Sequence, residues 1–259
     1  MRTFELNKTF GILCLTGMFF FSACQSTYRL ANVQGSKVVI TDAYDKAPDS
    51  NAVAVLAPYK LKVDSIMSPV IGTCEIDMTS GHPESLLSNL VADVLWTYSN
   101  SIPGQTVDAA VINLGGLRSN LPKGEITFGT VYEILPFENT LCILSLKGKY
   151  LKSLFNDIAK VGGQGVSHVK LLISKSYNAE LLGASVGGKE IDDEKVYTVA
   201  TIDYLAEGND GLVSFLRAEK RVCPEGATIR KIFLDYVKGK TAKGETITSE
   251  LDGRIQVKK

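Results

Sequence analysis

Apolar residues recur along this chain with two periods, and the helical one is the easier to follow. Leu87, Leu90, Val91, Val94, Leu95 and Tyr98 step by threes and fours, which places them on one face of a helix over about 83–98. Pro83 suits its first turn, and Glu84 complements the positive end of its dipole. Leu151, Leu154, Phe155 and Ile158 predict a second helix over 150–161, and Ile229, Ile232, Phe233, Tyr236 and Val237 a third over 227–237. Val55, Leu56, Tyr59, Val63 and Ile66 also share a face, after possible caps in Asp49-Ser50-Asn51. Pro58 has no N–H to give, so that helix is expected to start close to it. Shorter apolar runs at 38–40, 107–112, 141–146, 169–174 and 196–202 predict strands. Helices and strands alternate, which predicts a mixed α/β domain. The strands are short and their turns irregular, so a regular doubly wound sheet is not required.

The first segment follows a different pattern. Arg2 and Lys8 precede an apolar run from Phe10 to Phe21, and then come Ser22, Ala23 and Cys24. The run is too short to span a bilayer comfortably and reads as a secretory signal over 1–23. Small residues before a cysteine fit a lipoprotein cleavage site, although Phe21 stands where leucine is usual. Cys24 is thus the expected lipidation site, and it would hold the chain on the bacterial cell envelope, on the periplasmic or outer surface. A polar, aperiodic stretch over 24–37 is the expected tether, and 38–259 the folded body.

Composition narrows the partners. The 259 residues carry 28 Lys plus Arg against 28 Asp plus Glu, so the whole chain has no net positive field for a nucleic-acid polymer. Apart from Cys14 and Cys24, the cysteines are Cys74, Cys142 and Cys223, with no C-x-x-C spacing. An oxidising compartment permits one disulfide without indicating the pair, and the expectation is three buried thiols.

Three loops carry candidate chemistry. Asn113-Leu114-Gly115-Gly116-Leu117-Arg118 follows a strand. Its glycines allow close backbone approach, and Asn113 and Arg118 offer directed donors; read alone, it fits a tight surface turn equally well. Leu135-Pro136-Phe137 puts an aromatic ring at the end of an element, which a core phenylalanine would also explain. Asp203 to Gly211 runs from a strand end into a loop rich in glycine and acid, with Tyr204 and Asp210. Two rings and an acid on separate loops would suit a flat heteroaromatic ligand joined to a sugar, since stacking on aromatic faces is worth about 1–3 kcal/mol per base. No G-x-S-x-G elbow is present, and Gly162-Gly163-Gln164-Gly165, which follows a helix and lacks a Lys-Ser/Thr, reads as a helix stop rather than a phosphate loop.

In order, Glu84-Ser85, Asn89 to Asp93, Asn113 to Arg118, Leu121 to Thr127, Val131 to Phe137 and the Tyr204 to Gly211 loop resemble the C-terminal domain of the 5′-nucleotidase family, with similar spacing over 71–215. The resemblance implies a mixed four-layer α/β/β/α domain that recognises the nucleoside part of a substrate. Phe137 and Tyr204 would sandwich the base, Asp210 would receive the ribose hydroxyls, and Asn113 and Arg118, with Gly115 and Gly116, would contact the ribose and its anionic surroundings. Three departures stand out. Asn209 replaces a glycine, no arginine precedes Glu84 where only His82 stands, and His168 replaces a glycine and is expected to crowd or reshape the pocket.

Hydrolysis in that family rests on an N-terminal metallophosphoesterase domain with two metal ions held by Asp, His and Asn. The chain has two histidines, His82 and His168, in no metal-ligand spacing, so no catalytic residue, metal or cofactor is expected here, and hydrolysis by this chain alone is not expected. Divalent metals would sit on a partner phosphoesterase. Three functions follow: the nucleoside- or nucleotide-recognition half of a split 5′-nucleotidase in nucleotide catabolism, a stand-alone nucleoside-binding lipoprotein for scavenging, or a structural protein on the same fold that binds no ligand.

Overall fold

The computed structural model describes residues 30–175 and 178–258. The expected signal and the lipid site at Cys24 lie outside the described residues. The chain divides into two units, Met1–Val53 and Ala54–Lys259. In the first, every described residue is exposed, and a 3-10 turn spans Tyr44–Lys46. The apolar run 38–40 forms no strand, because no other strand pairs with it and its side chains stay in solvent. The first helix, α1, spans Ser50–Met67 and so starts well before Pro58. Asp49 explains the difference: its Oδ1 accepts the N–H groups of Asn51 and Ala52, both at 2.9 Å, and satisfies donors that a helix start leaves open. Pro58 is carried inside the helix, and the face of Val55, Leu56, Tyr59, Val63 and Ile66 is exposed rather than buried.

After α1 the order is β1 (Val70–Cys74), α2 (Leu86–Ser101), β2 (Ala109–Ile112), β3 (Gly124–Thr127), α3 (Phe128–Ile134), β4 (Leu141–Lys147), α4 (Gly148–Lys160), β5 (Gly165–Ser167), β6 (Val169–Ile173), β7 (Leu181–Val186), β8 (Lys189–Glu190), β9 (Val196–Ile202), α5 (Asp203–Ala206), β10 (Lys220–Val222), α6 (Ile229–Ala242) and β11 (Ile255–Val257). The mixed α/β pattern expected from the periodicity is the one observed. Most boundaries fall within a few residues of the expected ones. α2 begins at Leu86 rather than at Pro83, because Glu84 turns its side chain away to accept Asn89 Nδ2 at 2.8 Å and the Asp252 N–H at 3.1 Å. Pro83 instead packs against Gly163, where a Cβ would come within 2.3 Å of its carbonyl oxygen.

Five strands form the main sheet in the order β10-β4-β9-β2-β5, and four form a second in the order β11-β6-β7-β8. The stripes expected on α2, α4 and α6 face the core, with Leu87, Leu95, Leu151, Phe155 and Phe233 fully enclosed and Tyr98 and Tyr236 partly buried. The cysteine expectation is corrected: Cys142 and Cys223 form a disulfide 81 residues apart, which is possible because β10 pairs beside β4, and among the described residues Cys74 is left as a free, buried thiol. Burial raises the Cys74 pKa above its ordinary value.

The main sheet also decides where the loops meet. β2 and β9 are parallel neighbours, so the loops leaving Ile112 and Ile202 emerge at one edge. β4 runs antiparallel to β9 with Leu141 opposite Ile202, and this brings the segment entering β4 to the same edge. Three loops far apart in sequence therefore converge.

Candidate functional site

All seven residues singled out from the sequence, Asn113, Gly115, Gly116, Arg118, Phe137, Tyr204 and Asp210, line one cavity of about 410 Å³ at that edge, together with Asn139. Asp210 is its polar centre. Its Oδ2 accepts Asn113 Nδ2 at 2.5 Å, and its Oδ1 accepts the Tyr204 hydroxyl at 2.9 Å. That bond to the carboxylate holds the Tyr204 phenol above its ordinary pKa, since it favours the protonated form. Asp210 takes a left-handed backbone (φ 54°), which aspartate tolerates better than most residues.

Asn113 is buried, and with its amide nitrogen spent on Asp210 its Oδ1 has no hydrogen-bond partner. Such an acceptor is costly to leave unmet. Gly116 is required beside it, because a Cβ there would lie 2.8 Å from that oxygen. Arg118 is exposed and spends one donor on the Gly115 carbonyl at 3.2 Å. The two rings are open as well: Phe137 is 47% exposed and Tyr204 40%.

Two supporting residues escaped the sequence reading. Gln164, buried in the glycine-rich helix stop, accepts the Leu114 N–H through Oε1 at 2.7 Å and so fixes the 113–118 loop. The stop itself is as expected: Gly162 and Gly163 have positive φ, and their N–H groups bond back to Ala159 and Ile158. Asn139 sits two residues after Phe137, a spacing that returns a side chain to the same side of an extended segment. That spacing was the available signal.

The departures noted in the sequence resolve individually. Asn209 donates from Nδ2 to the Tyr204 carbonyl at 2.8 Å and so closes the loop with its side chain. His168 does not line the cavity, which corrects the expectation that it crowds the pocket. It keeps the left-handed backbone of a glycine position (φ 60°) and stacks on Trp96, with ring centroids 3.5 Å apart, in a second cavity that also contains Asp93 and Arg254. His82 lies against Gly162 and does not line the Asp210 cavity either.

The family model described as "5'-nucleotidase, C-terminal domain" matches residues 70–217, more than half of the chain and every residue of the cavity. The chain belongs to that family. Among curated relatives, it is 31% identical over 212 residues to Endonuclease YhcR of Bacillus subtilis, covering 80% of this chain and 16% of that protein. It is 26% identical over 216 residues to the NAD 5′-nucleotidase of Haemophilus influenzae, covering 72% and 34%. The solved 5′-nucleotidase precursor from Thermus thermophilus superimposes with a TM-score of 0.70 at 29% identity, covering 82% of this chain and 44% of that one. This chain thus spans less than half the length of each of these proteins.

Among the described residues no group of three or more His, Cys, Asp or Glu is placed to hold a metal ion. The two histidines do not fit a dinuclear centre: one stacks on Trp96, and the other rests against Gly162. The cavity presents two open rings, a carboxylate, an amide and a guanidinium. No helix among the described residues is long and apolar enough to cross a membrane.

Proposed function

We propose that this domain binds the nucleoside part of a 5′-nucleotide and presents it to a separate dinuclear-metal phosphoesterase, as the recognition half of a split 5′-nucleotidase. The supporting observation is the convergence of Phe137, Tyr204, Asp210, Asn113 and Arg118 on one cavity. The base packs between the rings of Phe137 and Tyr204. Asp210 accepts the ribose hydroxyls, and the buried Asn113 holds its carboxylate in place from below. Arg118 lies toward the anionic end. Its guanidinium suits phosphate, while the absence of an arginine near His82 makes the nucleoside the better-held portion. Divalent metals belong to the partner, and an acylated Cys24 keeps the two together at the envelope.

Calorimetric titration of the purified chain with adenosine and AMP is expected to show binding, and Phe137→Ala is expected to weaken it. Phosphate release from AMP is expected only after a metallophosphoesterase chain is added with divalent metal. Turnover by the isolated chain with metal would overturn the split arrangement, and no binding of any nucleoside at millimolar concentration would overturn the recognition role.

A further inference from the structure

Phe137 stands nearly half exposed, so its own packing does not fix the direction of its ring. The backbone around it must do so, and that backbone is gripped from an unexpected place. Arg230, in the first turn of α6, is 6% exposed. Its Nη1 donates to the carbonyl of Leu135 at 3.1 Å and to that of Pro136 at 3.0 Å. Its Nη2 pairs with the Glu138 carboxylate, and its guanidinium lies over the Tyr132 ring, 4.2 Å from the centroid. One side chain thus holds the residues on both sides of Phe137. The residues just before Arg230 add support on the C-terminal side of Phe137, because the Ile229 N–H bonds to the Asn139 carbonyl and Thr228 bridges to Thr140.

We propose that Arg230 is the positioning residue for Phe137: it sets the aromatic wall of the cavity and thereby the selectivity for ligands that carry a flat ring. The proposal rests on the nucleoside reading of the site. Only a planar guanidinium fits the arrangement, with one terminal nitrogen donating to two adjacent carbonyls, the other paired with a carboxylate, and a face for an aromatic ring. Lysine keeps the charge and loses the geometry. Arg230 touches no ligand and acts through the loop, so its contribution should vanish when the ring is absent.

A double-mutant cycle on adenosine affinity reads this directly. Arg230→Lys is expected to weaken adenosine binding about tenfold, the loss of a stacking contact. Phe137→Ala is expected to weaken it at least as much, and the double variant no further than Phe137→Ala alone. Additive losses would show that Arg230 acts on the fold at large and would overturn the proposal, as would an unchanged affinity in Arg230→Lys. Amide hydrogen exchange gives a reading that needs no ligand: residues 135–139 are expected to exchange faster in Arg230→Lys while β4 and α6 keep their protection. Unchanged exchange in 135–139 overturns the proposal whatever the cavity binds, whereas a wild-type chain that ignores adenosine overturns only the nucleoside reading. If Arg230→Lys does not fold, Glu138→Gln serves, because Glu138 is largely exposed and its loss removes one contact of the clamp. The same directions are expected there, at reduced size.

Discussion

The cavity around Asp210 and the cavity around Asp93 are built from the same kinds of residue and used in opposite ways. Each has an arginine and two aromatic rings, with one aspartate in the first and two, Asp93 and Asp252, in the second. Around Asp93 these groups satisfy one another: Arg254 pairs with both carboxylate oxygens at 2.7 Å, Ser167 donates to one of them, and His168 lies flat on Trp96. Around Asp210 the rings stand apart and exposed, Arg118 gives one bond to a carbonyl, and Asn113 Oδ1 has no partner. Similar composition therefore does not mean similar pairing: both aspartates have both oxygens bonded, but only around Asp210 do the rings and the arginine stay open.

The largest effect that would sharpen this contrast is expected at the Asp93 cavity. Arg254→Met leaves Asp93 with only the Ser167 bond and the Val166 carbonyl without its donor, and should cost about 3 kcal/mol of stability, the low end for a broken buried pair because Asp93 is 41% exposed. Thermal denaturation measures it, and adenosine affinity should be unchanged. Phe137→Ala should do the converse, weakening adenosine by about 2 kcal/mol while the melting temperature holds, since an exposed ring contributes little to the fold. A large loss of stability there would break the comparison. Asp210→Asn comes next, at about 1 kcal/mol of adenosine affinity: asparagine tolerates the left-handed backbone but gives up a charged acceptor.

The smallest effect is electrostatic. Burial lowers the His168 pKa below 6.5, with Asp93 and Asp252 opposing and Arg254 assisting. The fold thus favours neutral imidazole, so this contribution to stability is present above pH 6.5 and is lost as pH falls through the folded pKa. Trp96 is the chain's one tryptophan and stacks on that ring, so its fluorescence should titrate with a midpoint below 6.5. A midpoint above 6.5 would count against the closed stack.

Much of this was legible beforehand. The stripes of α2, α4 and α6 could be read because a buried helical face repeats within one segment. The cavity residues could be read as separate loops, each ambiguous alone, and the resemblance supplied their joint meaning. Side-chain contacts between distant segments were not legible. Asp49 extends a helix past Pro58, Gln164 braces Leu114, and Cys142 meets Cys223 only because β10 lies beside β4. His168 shows the limit most clearly. Its replacement of a glycine was visible, but whether it crowds the pocket depended on where Trp96 stands.

The disulfide gives the cavity a topology of its own. Bonding Cys142 to Cys223 closes a covalent ring of chain that contains Gln164, Tyr204 and Asp210, while Asn113, Arg118, Phe137 and Asn139 lie outside it. The two aromatic walls therefore belong to different parts of a lasso. A protease that cuts once between 143 and 222 opens the ring without releasing either part, and the nicked molecule differs from the intact one by a single water until a reductant separates the pieces. On a non-reducing gel such a cut would pass unseen.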